Sequence, residues 1–239
     1  MQITHHTVNS NGNKLAATIV LPEGQPKTVL IRIGGGYMAG HWPNNWQASL
    51  AEQGIASIGF DFPGVGDSTG SLNETSLTTR FEDARNVIKY FKTQLDSDLE
   101  LSILGVSMGA PIAIWLAEEL KFNSLVIAVP AAYPKSSYTK NFGDDFSKEV
   151  RIEGAWKSSD EFKKLVDLST PTLLISAKQD EIIPREIIDR YSEILKLKNQ
   201  PIFEFDAPHA FLRENGFYPE LAKEFWETVA GFILEDNKG

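Results

Sequence analysis

Cysteine is absent from the 239 residues, which excludes disulfides, thiolate metal sites and a cysteine nucleophile. No stretch approaches the roughly 18 consecutive apolar residues that a membrane span needs. The opening Met1-Gln2-Ile3-Thr4-His5-His6 lacks the basic segment and apolar run of a secretory leader. Basic side chains are the minority, 23 Lys and Arg against 32 Asp and Glu for a net charge of −9, and they form no cluster. A nucleic-acid partner is therefore not expected, since phosphate binding needs concentrated positive charge. Neither G-x-x-x-x-G-K-[ST] nor G-x-G-x-x-G occurs, which argues against nucleotide binding, and without H-E-x-x-H or clustered ligands no metal or other cofactor is expected. Internal repeats and low-complexity tracts are also missing. With 42% hydrophobic and 23% charged residues, the chain can bury a full core. The expectation is a soluble, cytoplasmic protein of one domain, 1–239, that acts on a small molecule; the oligomeric state is left open.

What is present is an alternation. Residues 4–8 and 14–21 read as strands around the turn-forming Asn9-Ser10-Asn11-Gly12-Asn13. The β-branched run at 28–33 suits a strand covered on both faces. Further strands are expected at 55–60, 99–104, 125–129, 172–176 and 202–205, with helices at 77–95, 110–120, 185–197 and 220–234. This predicts an α/β fold, a mostly parallel sheet of about eight strands with helices on both faces. Ligands on such sheets bind at the carboxyl ends of the strands. Residues 131–169 interrupt the pattern after the sixth strand. Too long for a structureless loop, they read as a small helical cap or lid insertion. Its aromatics, including Tyr133, Phe146, Trp156 and Phe162, are expected to form a core of its own, the other reading being the roof of a pocket.

Gly105-Val106-Ser107-Met108-Gly109 is a G-x-S-x-G sequence set between an expected strand and an expected helix. Small flanking residues let a tight turn pass close to its neighbours, and the turn presents the Ser107 hydroxyl above the sheet. A serine hydroxyl needs a base. Of four histidines, His5 and His6 lie in the first strand, and His41 follows a glycine-rich loop where packing is its expected role. His209 stands just past the last strand, at a carboxyl end, and is the expected base. The imidazole needs a carboxylate to fix its tautomer. Asp180, after the penultimate strand, completes the order Ser107, Asp180, His209; Glu181 and Asp206 are the alternatives. The oxyanion donors expected are the amide of Met108 and one from Gly34-Gly35-Gly36-Tyr37, with Gly35 preferred to Gly36. Tyr37, Val106, Tyr133 and Trp156 are expected to contact substrate.

These motifs resemble the α/β-hydrolase superfamily along essentially the whole chain. Asp61-Phe62-Pro63-Gly64-Val65-Gly66-Asp67-Ser68 is similar to the D-x-x-G-x-G-x-S loop that shapes the site wall in many members. The size and the insertion resemble small bacterial acyl esterases, including those acting on hydroxycinnamoyl esters. Two positions depart from the pattern. Ile33 precedes the glycine loop where many relatives have His, so Arg32 or the segment 37–42 is expected to hold that loop. Val106 replaces a frequent His or Tyr before the nucleophile. The resemblance implies a serine hydrolase that cleaves carboxylic esters through an acyl-enzyme. A thioesterase or acyltransferase would use the same intermediate, and a peptidase or a non-catalytic binding protein are further readings. Dehalogenases and epoxide hydrolases need Asp where this chain has Ser107.

Overall fold

Asn11 and Gly12 turn the chain with φ of 46° and 81°, the left-handed pair that suits a two-residue hairpin. Strand β1 (Gln2–Ser10) thus lies antiparallel to β2 (Asn13–Leu21), with Ser10 opposite Asn13. The computed structural model describes residues 1–26, 28–36, 40, 45–212 and 218–236. Strand β2 is also antiparallel to β4 (Ala56–Phe60). Beyond that pair every neighbour is parallel: β3 (Thr28–Ile33), β5 (Glu100–Val106), β6 (Ser124–Ala128), β7 (Thr172–Gln179) and β8 (Ile202–Pro208). The strand order is β1-β2-β4-β3-β5-β6-β7-β8, the expected mostly parallel, eight-stranded α/β sheet.

The central strands feed two apolar layers by simple alternation. Val29, Ile31 and Ile33 of β3 face one core with Ile103, Leu125 and Ile127. That side is covered by α2 (Leu77–Lys92), α3 (Gly109–Glu119) and α6 (Arg185–Leu197). Leu30, Leu104 and Val126 face the opposite core, closed by α1 (Asn45–Glu52) and α7 (Pro219–Asp236). Because each strand is buried on both faces, it reads in sequence as a continuous apolar run. Helix α1 was not expected from the sequence. It is eight residues long, and its buried anchors are Trp46, packed 5.4 Å from Trp226, and Leu50. Helix α2 starts where Ser76 accepts the Thr79 amide and the Thr79 hydroxyl accepts the Ser76 amide. Such a reciprocal cap contributes about 1 kcal/mol.

The segment after β6 carries two short helices, α4 (Asp144–Val150) and α5 (Glu161–Asp167). Its rings do not form a separate core, contrary to expectation. Phe142, Phe146 and Phe162 belong to the same buried cluster as α2, α3 and α6. Tyr138 meets Trp115 of α3 at 4.7 Å, and Phe162 meets Tyr191 of α6 at 4.8 Å. The aromatics pack against the main layer, where more of their apolar area is removed from water than so short a segment could manage alone.

Candidate active site

Ser107 sits at the turn between β5 and α3 with φ of +53°. That left-handed conformation is costly for a residue with a Cβ and is held here by its surroundings. The Ser107 amide donates to Ala128 O at 2.9 Å, and its carbonyl accepts the amides of Ala110 at 3.0 Å and Ala131 at 3.2 Å. The flanking glycines are sterically required. A Cβ on Gly105 would stand 2.6 Å from Gly109 O, and one on Gly109 would stand 2.2 Å from Ile33 O. The chain thus crosses the ends of β3 and β5 closely enough to lift the serine above them.

Two further strands bring the other groups. The β7–β8 ladder shifts register between Ala177 and Gln179, just before Asp180, and such irregularities re-aim side chains beside functional sites. His209 follows β8 directly. Its Nε2 lies 3.1 Å from Ser107 Oγ, and its Nδ1 lies 2.8 Å from Asp180 Oδ2. With Nδ1–H donating to the carboxylate, Nε2 is free to accept from the hydroxyl. The His209 side chain is 14% exposed and that of Asp180 only 4%. Burial pushes the Asp180 carboxyl up, but hydrogen bonds from His209, Ile183 and Ile182 outweigh it and leave the group below the ordinary carboxylate range. The amides of Ile182 and Ile183 reach Oδ1 at 2.9 and 2.8 Å.

The other two carboxylates weighed from the sequence go elsewhere. Glu181 accepts the main-chain N–H of His209 at 3.1 Å, and Asp206 accepts Gln179 Nε2 at 2.9 Å. His5 and His6 bond Thr18 and Tyr90 at the far edge of the sheet. His41 and Tyr37 lie outside the described residues.

The glycine loop after β3 comes against the serine turn. A Cβ on Gly35 would be 2.7 Å from Val106 O, 3.0 Å from Ser107 Cβ and 3.4 Å from the Met108 amide nitrogen. Gly36 has φ of +45°, and its carbonyl accepts Arg80 Nη2 at 2.8 Å. The buried Asp61 takes the Gly40 amide on Oδ1 at 2.6 Å and the Asp67 amide on Oδ2 at 3.1 Å. Of the holders expected from the sequence, Arg32 and residues 37–42, positions 37–39 and 41–42 lie outside the described residues; Arg80 and the carboxylate of Asp61 were not among them. One signal was available: Arg80 falls on the buried stripe of α2 with Ala84, Val87 and Phe91.

The expected substrate contacts divide. Val106 is 3% exposed and packs into the core beneath α1 and α7, so it supports the turn instead of facing a ligand. This corrects the sequence reading, because strand alternation turns the side chain before the serine to the far face. Tyr133 is half-buried, two residues past the Ala131 amide that bonds Ser107 O, with its ring 5.5 Å from Phe146. Trp156 stands 5.8 Å from Phe162 within the segment after β6.

A strand–serine–helix turn with a histidine and a carboxylate delivered from later strand ends defines a class, and comparison with known proteins agrees. A family model described as the alpha/beta hydrolase fold matches residues 19–150, and the chain belongs to that family. Est1E from Butyrivibrio proteoclasticus, solved with ferulic acid bound, is 21% identical with a TM-score of 0.77, covering 98% of this chain and all of its own. The acylaminoacyl peptidase of Pyrococcus horikoshii is 19% identical with a TM-score of 0.74, covering 97% of this chain but only 41% of its own. A Saccharomyces cerevisiae protein named as an uncharacterized membrane protein, YNL320W, is 22% identical over 236 residues, 93% of this chain and 76% of its own. No helix among the described residues of the present chain is long and apolar enough to cross a membrane.

Proposed function

We propose that this hydrolase-fold protein cleaves carboxylic esters of small acyl groups through an acyl-enzyme on Ser107. The observation that carries the reading is the continuous path from Ser107 Oγ to His209 to Asp180, at 3.1 and 2.8 Å. His209 Nε2 takes the Ser107 proton as Oγ bonds the acyl carbon. The amides of Met108 and Gly35, with Gly36 beside them, stabilise the oxyanion, each donor contributing about 3–4 kcal/mol. The imidazolium then passes its proton to the departing alkoxide, and the ester C–O bond breaks. Water, deprotonated by His209, attacks the acyl carbon. The acid leaves and the proton returns to Ser107.

Tyr37, Tyr133 and Trp156 are the side chains proposed to meet substrate, under a cap formed by 131–169. No metal or organic cofactor enters these steps. A cytoplasmic location is part of the proposal. A thioester or an acyl-accepting alcohol would use the same intermediate, and the likeness to a peptidase supports testing amides beside esters.

The discriminating experiment compares p-nitrophenyl esters of increasing acyl length, acyl-CoA thioesters and a peptide anilide. We expect turnover of short esters in the wild type and none in Ser107→Ala. Turnover of the anilide or the thioesters without the esters would replace this reading with one of the others.

A further inference from the structure

Arg80 occupies a position on α2 whose buried neighbours Ala84, Val87 and Phe91 are all apolar. It is fully buried on the inner stripe of α2. A guanidinium placed there carries a heavy desolvation cost unless hydrogen bonds and ring faces replace water. What it touches is specific. Nη2 donates to Gly36 O at 2.8 Å, and Nη1 lies 3.5 Å from Met108 Sδ. Its Cζ is 4.6 Å from the Phe62 ring centre and 4.8 Å from that of Phe142. Gly36 is on the glycine loop, and Met108 follows the nucleophile. One side chain thus meets the glycine loop through a main-chain carbonyl and the serine turn through the Met108 thioether. Both ring partners are themselves fixed. Phe62 follows Asp61, which bonds the Gly40 amide, and the Phe142 amide donates to Thr75 O at 2.8 Å.

We propose that Arg80 is a positioning residue for acyl transfer, aligning the glycine loop and Met108 so that their amides converge on the oxyanion. This rests on the ester-hydrolysis reading above. The bond to the Gly36 carbonyl sets the orientation of a loop with no side chains at 34–36 to anchor it. The effect is larger in the transition state than in the ground state, so it belongs in kcat and not in KM.

The test uses the full chain as wild type, Arg80→Met and Arg80→Lys. With a short p-nitrophenyl ester, Arg80→Met should lose about 100-fold in kcat, the scale of a misplacement of about 1 Å, with KM little changed. The inhibition constant of a boronic acid that adds to Ser107 should rise in step, and Arg80→Lys should recover part of the loss. Amide hydrogen exchange over 33–36 should quicken in Arg80→Met while β5 and β6 keep their protection. Wild-type kcat in a folded Arg80→Met, a loss confined to KM, or unchanged exchange at 33–36 would overturn the proposal. If Arg80→Met does not fold, Arg80→Lys carries the same comparisons, because it keeps the charge but not the planar fork. If the wild type itself hydrolyses no ester, the hydrolysis reading fails, and the exchange comparison still decides whether Arg80 holds the loop.

Discussion

Glu181 and His209 are joined through the main chain, the glutamate accepting the His209 N–H at 3.1 Å while the neighbouring Asp180 takes the imidazole at 2.8 Å. Two adjacent carboxylates thus hold one histidine in different ways. Glu181 fixes where its backbone sits, and Asp180 fixes how its ring is turned. Sequence alone leaves them as rivals, because both follow β7.

This division predicts unequal mutants. Asp180→Asn should lower ester turnover about 10⁴-fold, since an amide no longer fixes the tautomer or stabilises the imidazolium. Glu181→Ala should cost about tenfold, the worth of one hydrogen bond of about 1.5 kcal/mol. Steady-state kcat for both variants checks the order. Equal losses, or the reverse order, would move the acid role to Glu181.

Backbone geometry at Ser107 sets a second expectation. Ser107 holds φ at +53°, and Ala at that position keeps the conformational penalty while Gly removes it. Ser107→Gly should therefore be more stable than Ser107→Ala by about 1 kcal/mol in urea unfolding, with both inactive. An Ala variant as stable as the Gly variant would show that the turn stores no strain.

The crossing of β3 and α3 gives a third. A Cβ on Gly109 would meet Ile33 O at 2.2 Å, a main-chain atom that cannot swing aside. Gly109→Ala should destabilise the protein by about 1–3 kcal/mol through a forced backbone shift. It should also lower turnover, because the same shift moves the serine turn. A neutral melting temperature would contradict the packing described.

Glu161 makes stability depend on pH. Its carboxylate is buried at the start of α5, accepting the Tyr133 amide at 3.1 Å and the Tyr138 hydroxyl at 2.8 Å. Burial pushes its pKa up to about 7, and these hydrogen bonds only partly oppose the shift. A carboxyl raised from 4.5 favours the folded chain fully below that value, and the contribution is lost as pH climbs through about 7. Glu161→Gln removes the titration. Urea unfolding near pH 5 and near pH 8 should show wild-type stability falling relative to Glu161→Gln as pH rises. A constant or widening wild-type advantage would contradict the assignment.

How much was legible follows from where each signal resides. Doubly buried strands such as 28–33 and 124–128 announce themselves as apolar runs, so the parallel sheet could be read directly. The turn around Ser107 could be read because its steric demands are local and select Gly105 and Gly109. Helix α1 escaped notice because eight residues with two anchors, Trp46 and Leu50, present too little periodicity. Val106 misled because nearness to Ser107 in sequence hides the strand alternation that turns its side chain away. Arg80 and Glu161 are charged residues whose burial comes from tertiary partners far along the chain, Gly36 and Met108 for one, Tyr133 and Tyr138 for the other. No local pattern records those contacts, although the position of Arg80 on an otherwise apolar stripe was a hint.

The most direct measurement is peptide mass spectrometry of the protein after reaction with a fluorophosphonate, alongside His209→Ala. A nucleophile activated by His209 predicts a single adduct on Ser107 in the wild type and essentially none in His209→Ala. Labelling of Ser107 that survives loss of the imidazole, or a wild-type protein that hydrolyses esters with Ser107 unmodified, would contradict it.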